Sequence, residues 1–325
     1  MKTTKLSQRL KALEGTPDVA RTGYEGPASV GAAAAYRIRV ANDLASRRSA
    51  YGLIYRLYLE KEYARPHPSR LWMSIHDAQP DTVTLLAEKR LVEGGGWKVE
   101  GADRDSSASA LLSSTLHLPP STAVVPVGAL TVVFDSPLGL PADGLFGAEL
   151  DALRERGRRL AEIVSLGIDE ETVAGSELLV RLFNLAYLVA RRIRGATDFV
   201  ITVNPRHAGF YRRKLLFVEA GPERAYDRVG GAPAVLCSIP LSTPDRIGES
   251  ERHRTIYRLW IPQSGEAGAV DELSRELRPM GEAELRHFLS VRPELLAGES
   301  PERRAALEAM RRRAGLVPAG REEVL

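Results

Sequence analysis

The chain has 325 residues, 44% hydrophobic and 27% charged, a composition that excludes global disorder and fibrous repeats. Basic and acidic residues nearly cancel, 45 against 42, for a formal charge of +3, which gives no electrostatic case for nucleic acid as a partner. One cysteine, Cys237, excludes an intrachain disulfide and a cysteine-based zinc site.

Residues 1–30 mix charge, Gly, Pro and Thr without periodicity and read as a flexible tail. No continuous apolar segment opens the chain, so no signal peptide is expected. Tyr36–Val40 alternates as a first strand. Ser46–Tyr63 carries Tyr51, Ile54, Leu57 and Tyr58 at helical spacing, and Arg65-Pro-His-Pro stops that helix. Asp81–Ala87 is a second strand. From 90 to 122 the composition turns to Gly, Ser and Ala, which reads as an insertion. Ala123–Phe134 is a strand buried on both faces, with Gly128 at a bend or bulge.

Phe146–Arg156 is a short helix and Arg159–Ile168 another buried strand. Leu179, Leu182, Phe183, Ala186, Val189, Ala190 and Ile193 then form one helical stripe, ending in Arg191, Arg192, Arg194 and Gly195 as helix C-termini favour. The most apolar stretch, Leu178–Val189, is interrupted by Arg181 and Asn184. It falls short of the roughly 20 residues a membrane span needs, so no integral membrane segment and a cytoplasmic location are expected. Thr197–Val203 is a strand, Pro205–Leu216 a helix and Ala232–Leu241 a last strand with Cys237 as a buried, inert thiol. Beyond about 243, Glu272–Val291 and Pro301–Arg313 read as two charged amphipathic helices, with Ser300-Pro301 as N-cap and N1.

Length sets a prior of about two domains. The division read here is a tail (1–30), a core domain (31–243, with its insertion at 90–122) and a C-terminal helical extension (244–325). Two strands adjoin before the next helix, so the class is α+β, a mixed sheet with helices on both sides. No G-x-G-x-x-G or Walker pattern follows any strand.

Glu162 lies inside the expected central strand. Buried there, its pKa would rise, which suits a general base near neutrality; the alternative is a structural pair with a cation such as Arg159. Ser165 on the same strand is a candidate or simply a satisfied hydroxyl. Tyr211, on the helix after Asn204, is an acid for a thiolate leaving group or a packing tyrosine. His207 reads as a capping or solvent-facing residue.

Val127–Pro141, Ala161–Gly167 and Phe199–Phe217 resemble the GNAT acyltransferase superfamily. Within it they are similar to the long-chain N-acyl amino acid synthases of the FeeM type, bacterial relatives of the acyl-homoserine lactone autoinducer synthases. The resemblance covers roughly 36–242. It implies a GNAT fold and transfer of a long-chain acyl group from acyl carrier protein to the amino group of a free amino acid. No permanently bound cofactor and no metal are implied. The co-substrate would be an acyl-phosphopantetheine thioester.

Two departures narrow the expectation. The diphosphate-binding turn of CoA-dependent relatives is replaced by Ile168–Ser176, where Asp169, Glu170 and Glu171 would repel a diphosphate, favouring a carrier-protein thioester over CoA. The autoinducer synthases place Ser two residues after the Glu with Arg next; here Ser165 stands three residues on and Leu166 follows, against a lactone product.

On this resemblance Glu162 is the base, Tyr211 the acid, and backbone N–H groups at Val164 and Ser165 hold the oxyanion. The helix start at Gly175 and Ser176 takes the pantetheine phosphate. Arg56, Arg159 and Arg206 are alternatives for the acceptor's carboxylate, with Asn204 nearby. Tyr55, Phe134, Leu166 and Phe183 line an acyl tunnel or are plain core. Only seven of the 45 basic residues are lysine. The clusters Arg191, Arg192, Arg194 and Arg212, Arg213, Lys214 are expected to flank the thioester site and dock acidic carrier protein. Two other readings stand beside this one: an acyltransferase using acyl-CoA, and a non-catalytic module that senses an acyl carrier or lipid.

Overall fold

An Asp43–Ser46 capping box starts the first helix: Asp43 Oδ1 accepts from Ser46 N at 2.7 Å and Asp43 N donates back to Ser46 Oγ at 3.2 Å, satisfying N-terminal donors that a bare helix leaves open. The computed structural model describes residues 36–91, 123–169, 175–247, 260 and 266–317. The 1–30 tail, and the 90–122 insertion apart from Arg90 and Leu91, lie outside them.

The first half runs β1 (Arg37–Val40), α1 (Leu44–Glu60), a 3-10 turn (Ile75–Ala78), β2 (Val83–Leu91), β3 (Ala123–Phe134), α2 (Asp143–Glu155) and β4 (Leu160–Ile168). Helix α3 (Gly175–Tyr187) follows and continues as a π-helical turn (Leu188–Ile193). Then come β5 (Asp198–Val203), α4 (Pro205–Leu215), the short β6 (Val218–Glu219) and β7 (Arg224–Tyr226), a 3-10 turn (Asp227–Val229) and β8 (Ala232–Pro240). Helices α5 (Ser242–Ile247), α6 (Glu266–Glu276), α7 (Glu282–Val291), α8 (Glu294–Ala297) and α9 (Pro301–Arg313) complete the described chain.

The strands form one mixed sheet in the order β1-β2-β3-β4-β5-β8-β6, with β7 also on β8. Every pairing is antiparallel except β4 with β5. Helices cover both faces, as the order of elements implied. On one face Leu182, Phe183 and Ala186 of α3 pack on Leu85, Leu130, Ala161 and Phe199. On the other, Tyr51 and Ile54 of α1 pack on Leu86 and Ala129, while Phe146 and Leu150 of α2 cover Val133, Leu160 and Val200. Close approach requires glycine at two strand positions. A Cβ on Gly128 would stand 2.8 Å from Leu178 of α3, and one on Gly167 would meet Ile54 and Leu57 of α1 at 2.8 Å.

The C-terminal residues depart from the expected pattern in one way. The single helix expected over 272–291 is two, α6 and α7, because Pro279 in the Arg278–Gly281 link cannot continue a helix. Residues beyond 243 share the cores of those before it. Trp260 is fully buried and stacks on Phe199 with ring centroids 6.1 Å apart, and Phe288 of α7 meets Tyr51 edge-on at 5.4 Å. Polar ties reinforce this: Arg47 Nη1 pairs with Glu284 Oε1 at 2.5 Å, and Arg311 Nη1, buried, donates to Ala78 O at 2.9 Å.

Candidate active site

The parallel β4–β5 pair is zipped at one end only. Its register runs Leu160 with Asp198, Ala161 with Phe199 and Glu162 with Val200, and stops there. Beyond that point β4 continues to Ile168 and β5 to Val203 without pairing each other. The unmatched edges form a wedge in the sheet whose apex is Glu162.

Along the wedge β4 carries a bulge. Against β3, Thr131 pairs with Val164 but Ala129 pairs with Gly167, so β4 holds one extra residue there. Ser165 takes it up in a left-handed conformation, φ 52°, a strained state for a side chain with a Cβ. A bulge of this kind leaves the extra residue out of the ladder and re-aims backbone groups, here beside the wedge. Val164 packs toward the α2 face and Leu166 toward the α3 face.

Glu162 is 1% exposed. Its Oε2 accepts from Ala142 N at 2.8 Å and its Oε1 from Thr202 Oγ1 at 3.4 Å. The pairing with Arg159 that the sequence left open is not made: Arg159 Nε donates to Gly195 O at 2.8 Å, at the zipped end of the strands. Burial pushes the Glu162 carboxyl up to about 7, opposed by the Ala142 N–H and the Arg228 charge. A carboxylate so placed exchanges a proton near neutrality.

Tyr211 lies on the other face. Its ring is 6.3 Å from Phe183 and 5.8 Å from Phe217. Its hydroxyl makes no hydrogen bond among the described residues. Burial, with Tyr58 and Cys237 adding, holds its pKa well above the ordinary tyrosine value, so it stays a proton donor. Glu162 and Tyr211 therefore approach the wedge from opposite sides of the sheet.

Other expected site residues have structural work. Asn204 is the N-cap of α4, its Oδ1 accepting from Arg206 N at 3.2 Å, and Arg206 Nη2 donates to Tyr63 Oη at 2.7 Å. Arg56 is tied to Asp169 at 2.8 Å. Tyr55 Oη accepts from His67 N at 2.8 Å. Phe183 is core, T-shaped against Trp260 at 5.7 Å, and Phe134 is packed against the same core at the zipped end, paired with Ala161. His207 is held neutral, pushed down to about 4 by burial and by Arg206 and Lys61. Cys237 is buried and pushed up to about 11, mainly by desolvation.

Helix α3 begins at Gly175 and Ser176, beside the open end of the wedge, and ends beside its zipped end. The two arginine clusters stand on different helices. Arg191, Arg192 and Arg194 stand at the far end of α3, roughly 25 Å of helix from Gly175. Arg194 pairs with Asp81 at 2.9 Å and Arg192 lies over the Tyr187 ring. Arg212, Arg213 and Lys214 occupy the last turn of α4, where Arg212 pairs with Glu219 at 2.9 Å. Of the acidic turn, Asp169 alone is described; Glu170 and Glu171 lie outside the described residues.

The residues missed from the sequence are Tyr226 and Arg228, on β7 and the turn after it, and Trp72. The Tyr226 hydroxyl donates to Pro141 O at 3.3 Å. The peptide it holds is the one whose N–H, on Ala142, serves Glu162. The Arg228 guanidinium lies over the Trp72 ring, 5.9 Å from its centre. Trp72 also meets Tyr58 edge-on at 4.9 Å. None of the three carries a local motif, and only the fold brings them to Glu162. The C-terminal helices brace the same wall: Arg292 Nη1 donates to Leu71 O, and Arg303 Nη1 to Leu138 O at 2.7 Å.

Among the described residues no group of three His, Cys, Asp or Glu could hold a metal ion. No helix there is long and apolar enough to cross a membrane.

Residues 110–240 match the family model described as N-acyl amino acid synthase FeeM. No curated protein sequence matches the chain significantly. Similar solved structures include FeeM, an N-acyl amino acid synthase from uncultured soil microbes, at 21% identity and TM-score 0.46 over 63% of this chain and 91% of that one. Others are the acyl-homoserine lactone synthase LasI (11%, TM-score 0.44, 71% and 98%) and BjaI, a CoA-dependent acyl-homoserine lactone synthase (13%, TM-score 0.40, 74% and 98%). The matched segment contains Glu162, Tyr211, the wedge and Arg228, and over it the chain is similar to the FeeM N-acyl amino acid synthase family.

Proposed function

We propose that the protein transfers a long-chain fatty acyl group from acyl carrier protein to the α-amino group of an amino acid, releasing an N-acyl amino acid and free carrier thiol. The observation that carries this reading is Glu162: a buried carboxyl, titrating near neutrality, at the apex of a wedge between two parallel strands.

The wedge has unpaired backbone edges that an extended pantetheine arm can satisfy as a short extra strand. The start of α3 at Gly175 and Ser176 supplies N–H donors for its single phosphate. Glu162 takes one proton from the acceptor's ammonium. The neutral amine attacks the thioester carbonyl, a C–N bond forms, and the negative charge moves to oxygen, where N–H groups at the Val164–Ser165 bulge stabilise it. The nitrogen, cationic after attack, loses its second proton to solvent; the intermediate collapses, the C–S bond breaks, and Tyr211 gives its proton to the departing thiolate, to be reprotonated by solvent.

Carrier protein is favoured over CoA because Asp169, Glu170 and Glu171 follow β4 where a diphosphate would otherwise lie. Carrier protein would meet the α4 cluster of Arg212, Arg213 and Lys214. The cluster at 191–194 stands too far from the wedge mouth to share that contact. A soluble cytoplasmic enzyme fits this chemistry.

Mass spectrometry of reactions holding acyl carrier protein or acyl-CoA thioesters, with all twenty amino acids as acceptors, tests the reading. N-acyl amino acids formed faster from the carrier-protein thioester support it. Product from CoA alone would reassign the donor. Donor binding with no product from either would turn the reading toward an acyl-carrier or lipid sensor.

A further inference from the structure

An acceptor amino acid brings a carboxylate that must be matched by a cation near Glu162, because a bare carboxylate in a half-buried pocket is costly. The three cations suggested by the sequence are otherwise engaged: Arg56 with Asp169, Arg159 with Gly195 O and Arg206 with Tyr63. Three other arginines near the site are neutralised in place. Arg154 binds Asp135, Asp143 and Asp151, Arg158 binds Asp198 and Arg224 binds Glu149.

Arg228 differs. It stands on the Asp227–Val229 turn, half-buried, and makes no ion pair among the described residues. Its guanidinium carbon lies 5.9 Å from the centre of the Trp72 ring, a cation–π contact that restrains a fork suited to a bidentate carboxylate. A short chain of contacts connects it to the base. The Arg228 charge lies near enough to the Tyr226 hydroxyl to oppose the rise that burial gives its pKa, that hydroxyl bonds Pro141 O, and the next N–H, on Ala142, bonds Glu162. Nearby stands His76, 5% exposed, with neither ring nitrogen hydrogen-bonded among the described residues. Burial and the charges of Arg228 and Arg303 keep it neutral, pushed down to about 3, so it adds no competing charge.

We propose that Arg228, laid over Trp72, binds the α-carboxylate of the acceptor and so makes this site selective for amino acids over simple amines. The carboxylate forks onto the guanidinium while the α-amino group, one carbon away, turns toward Glu162. This rests on the acyl-transfer reading above and names the residue that selects its acceptor.

The test compares each productive amino acid with its decarboxylated amine, in the wild type, Arg228→Ala and Arg228→Lys, with folding checked by thermal melts. The expected result is a preference for the amino acid in the wild type that collapses toward parity in Arg228→Ala. That loss appears as a rise in KM for the amino acid on the order of 10²-fold, with Arg228→Lys between the two. Unchanged KM, or equal losses for amino acid and amine, would overturn it. Calorimetric binding of an N-acyl amino acid against the matching N-acyl amine separates the two readings. If no variant turns over but carboxylate-dependent binding still requires Arg228, the transfer reading fails and the carboxylate site stands. If binding is indifferent to Arg228, the carboxylate site fails.

Discussion

Glu162 and Tyr226 grip opposite sides of one peptide unit: the Ala142 N–H donates to Glu162 Oε2 at 2.8 Å while the Pro141 carbonyl accepts from the Tyr226 hydroxyl at 3.3 Å. The base is therefore oriented by backbone, without a cation in direct contact. With its carboxyl pushed up to about 7 by burial, kcat/KM should rise with pH through one ionisation near neutrality. Glu162→Gln keeps an acceptor for Ala142 and removes the base, so acyl transfer should fall by on the order of 10² or more. Full activity in that variant would remove Glu162 from the mechanism.

Tyr226 acts through that peptide. Tyr226→Phe frees the Pro141 carbonyl and loosens the N–H that favours ionised Glu162, so the midpoint of the pH–rate profile should move upward. A profile with unchanged midpoint would show that the peptide is held without Tyr226.

The same burial makes stability depend on pH. The Glu162 carboxyl is raised from 4.5 to about 7 in the fold, so the folded state binds its proton more tightly than the unfolded chain. Its favourable effect is complete below pH 4.5 and is lost as pH rises through 7, a change of about 3 kcal/mol. Glu162→Gln cannot ionise. It should match the wild type's stability near pH 4 and exceed it at pH 8 in urea titrations. Equal midpoints at pH 8 would mean the carboxylate is well solvated.

Tyr211 offers a hydroxyl with no hydrogen bond to lose among the described residues. Tyr211→Phe should fold as the wild type does and lower kcat by about 10², with little change in KM for the acceptor. A variant with wild-type kcat would leave the thiolate to be protonated by water.

Trp260 is buried among Phe183, Tyr187, Phe199 and Phe217, and its indole Nε1 is buried without a partner among the described residues. Trp260→Ala should cost about 3–5 kcal/mol in denaturant unfolding. Trp260→Phe should cost much less, because it leaves no buried N–H unsatisfied. A negligible loss in Trp260→Ala would mean that the aromatic cluster closes without it.

The sheet was legible because its strands are apolar runs bounded by turn residues. Ala123–Phe134 falls where its continuous apolar run places it, and the helix expected over Pro205–Leu216 runs Pro205–Leu215. Glu162 was legible for a related reason, as a carboxylate in an apolar strand that needs explaining. Arg228 was not. It lies in a three-residue turn, and its meaning comes from Trp72, far away in the chain. The 272–291 helix was misread because its apolar period continues through Arg278–Gly281, and Pro279 outweighs that period locally. Trp260 gave no periodic signal. Its burial depends on a pocket built by three separate elements.

The brace laid by the C-terminal helices on Leu71, Ala78 and Leu138 gives the molecule a temporal order. The strands that open the wedge leave the ribosome first, whereas Arg311 follows Arg228 by roughly 80 residues, several seconds at about 5–20 residues per second. The strands of the wedge are thus all synthesised before the wall that carries Arg228 has its buttress.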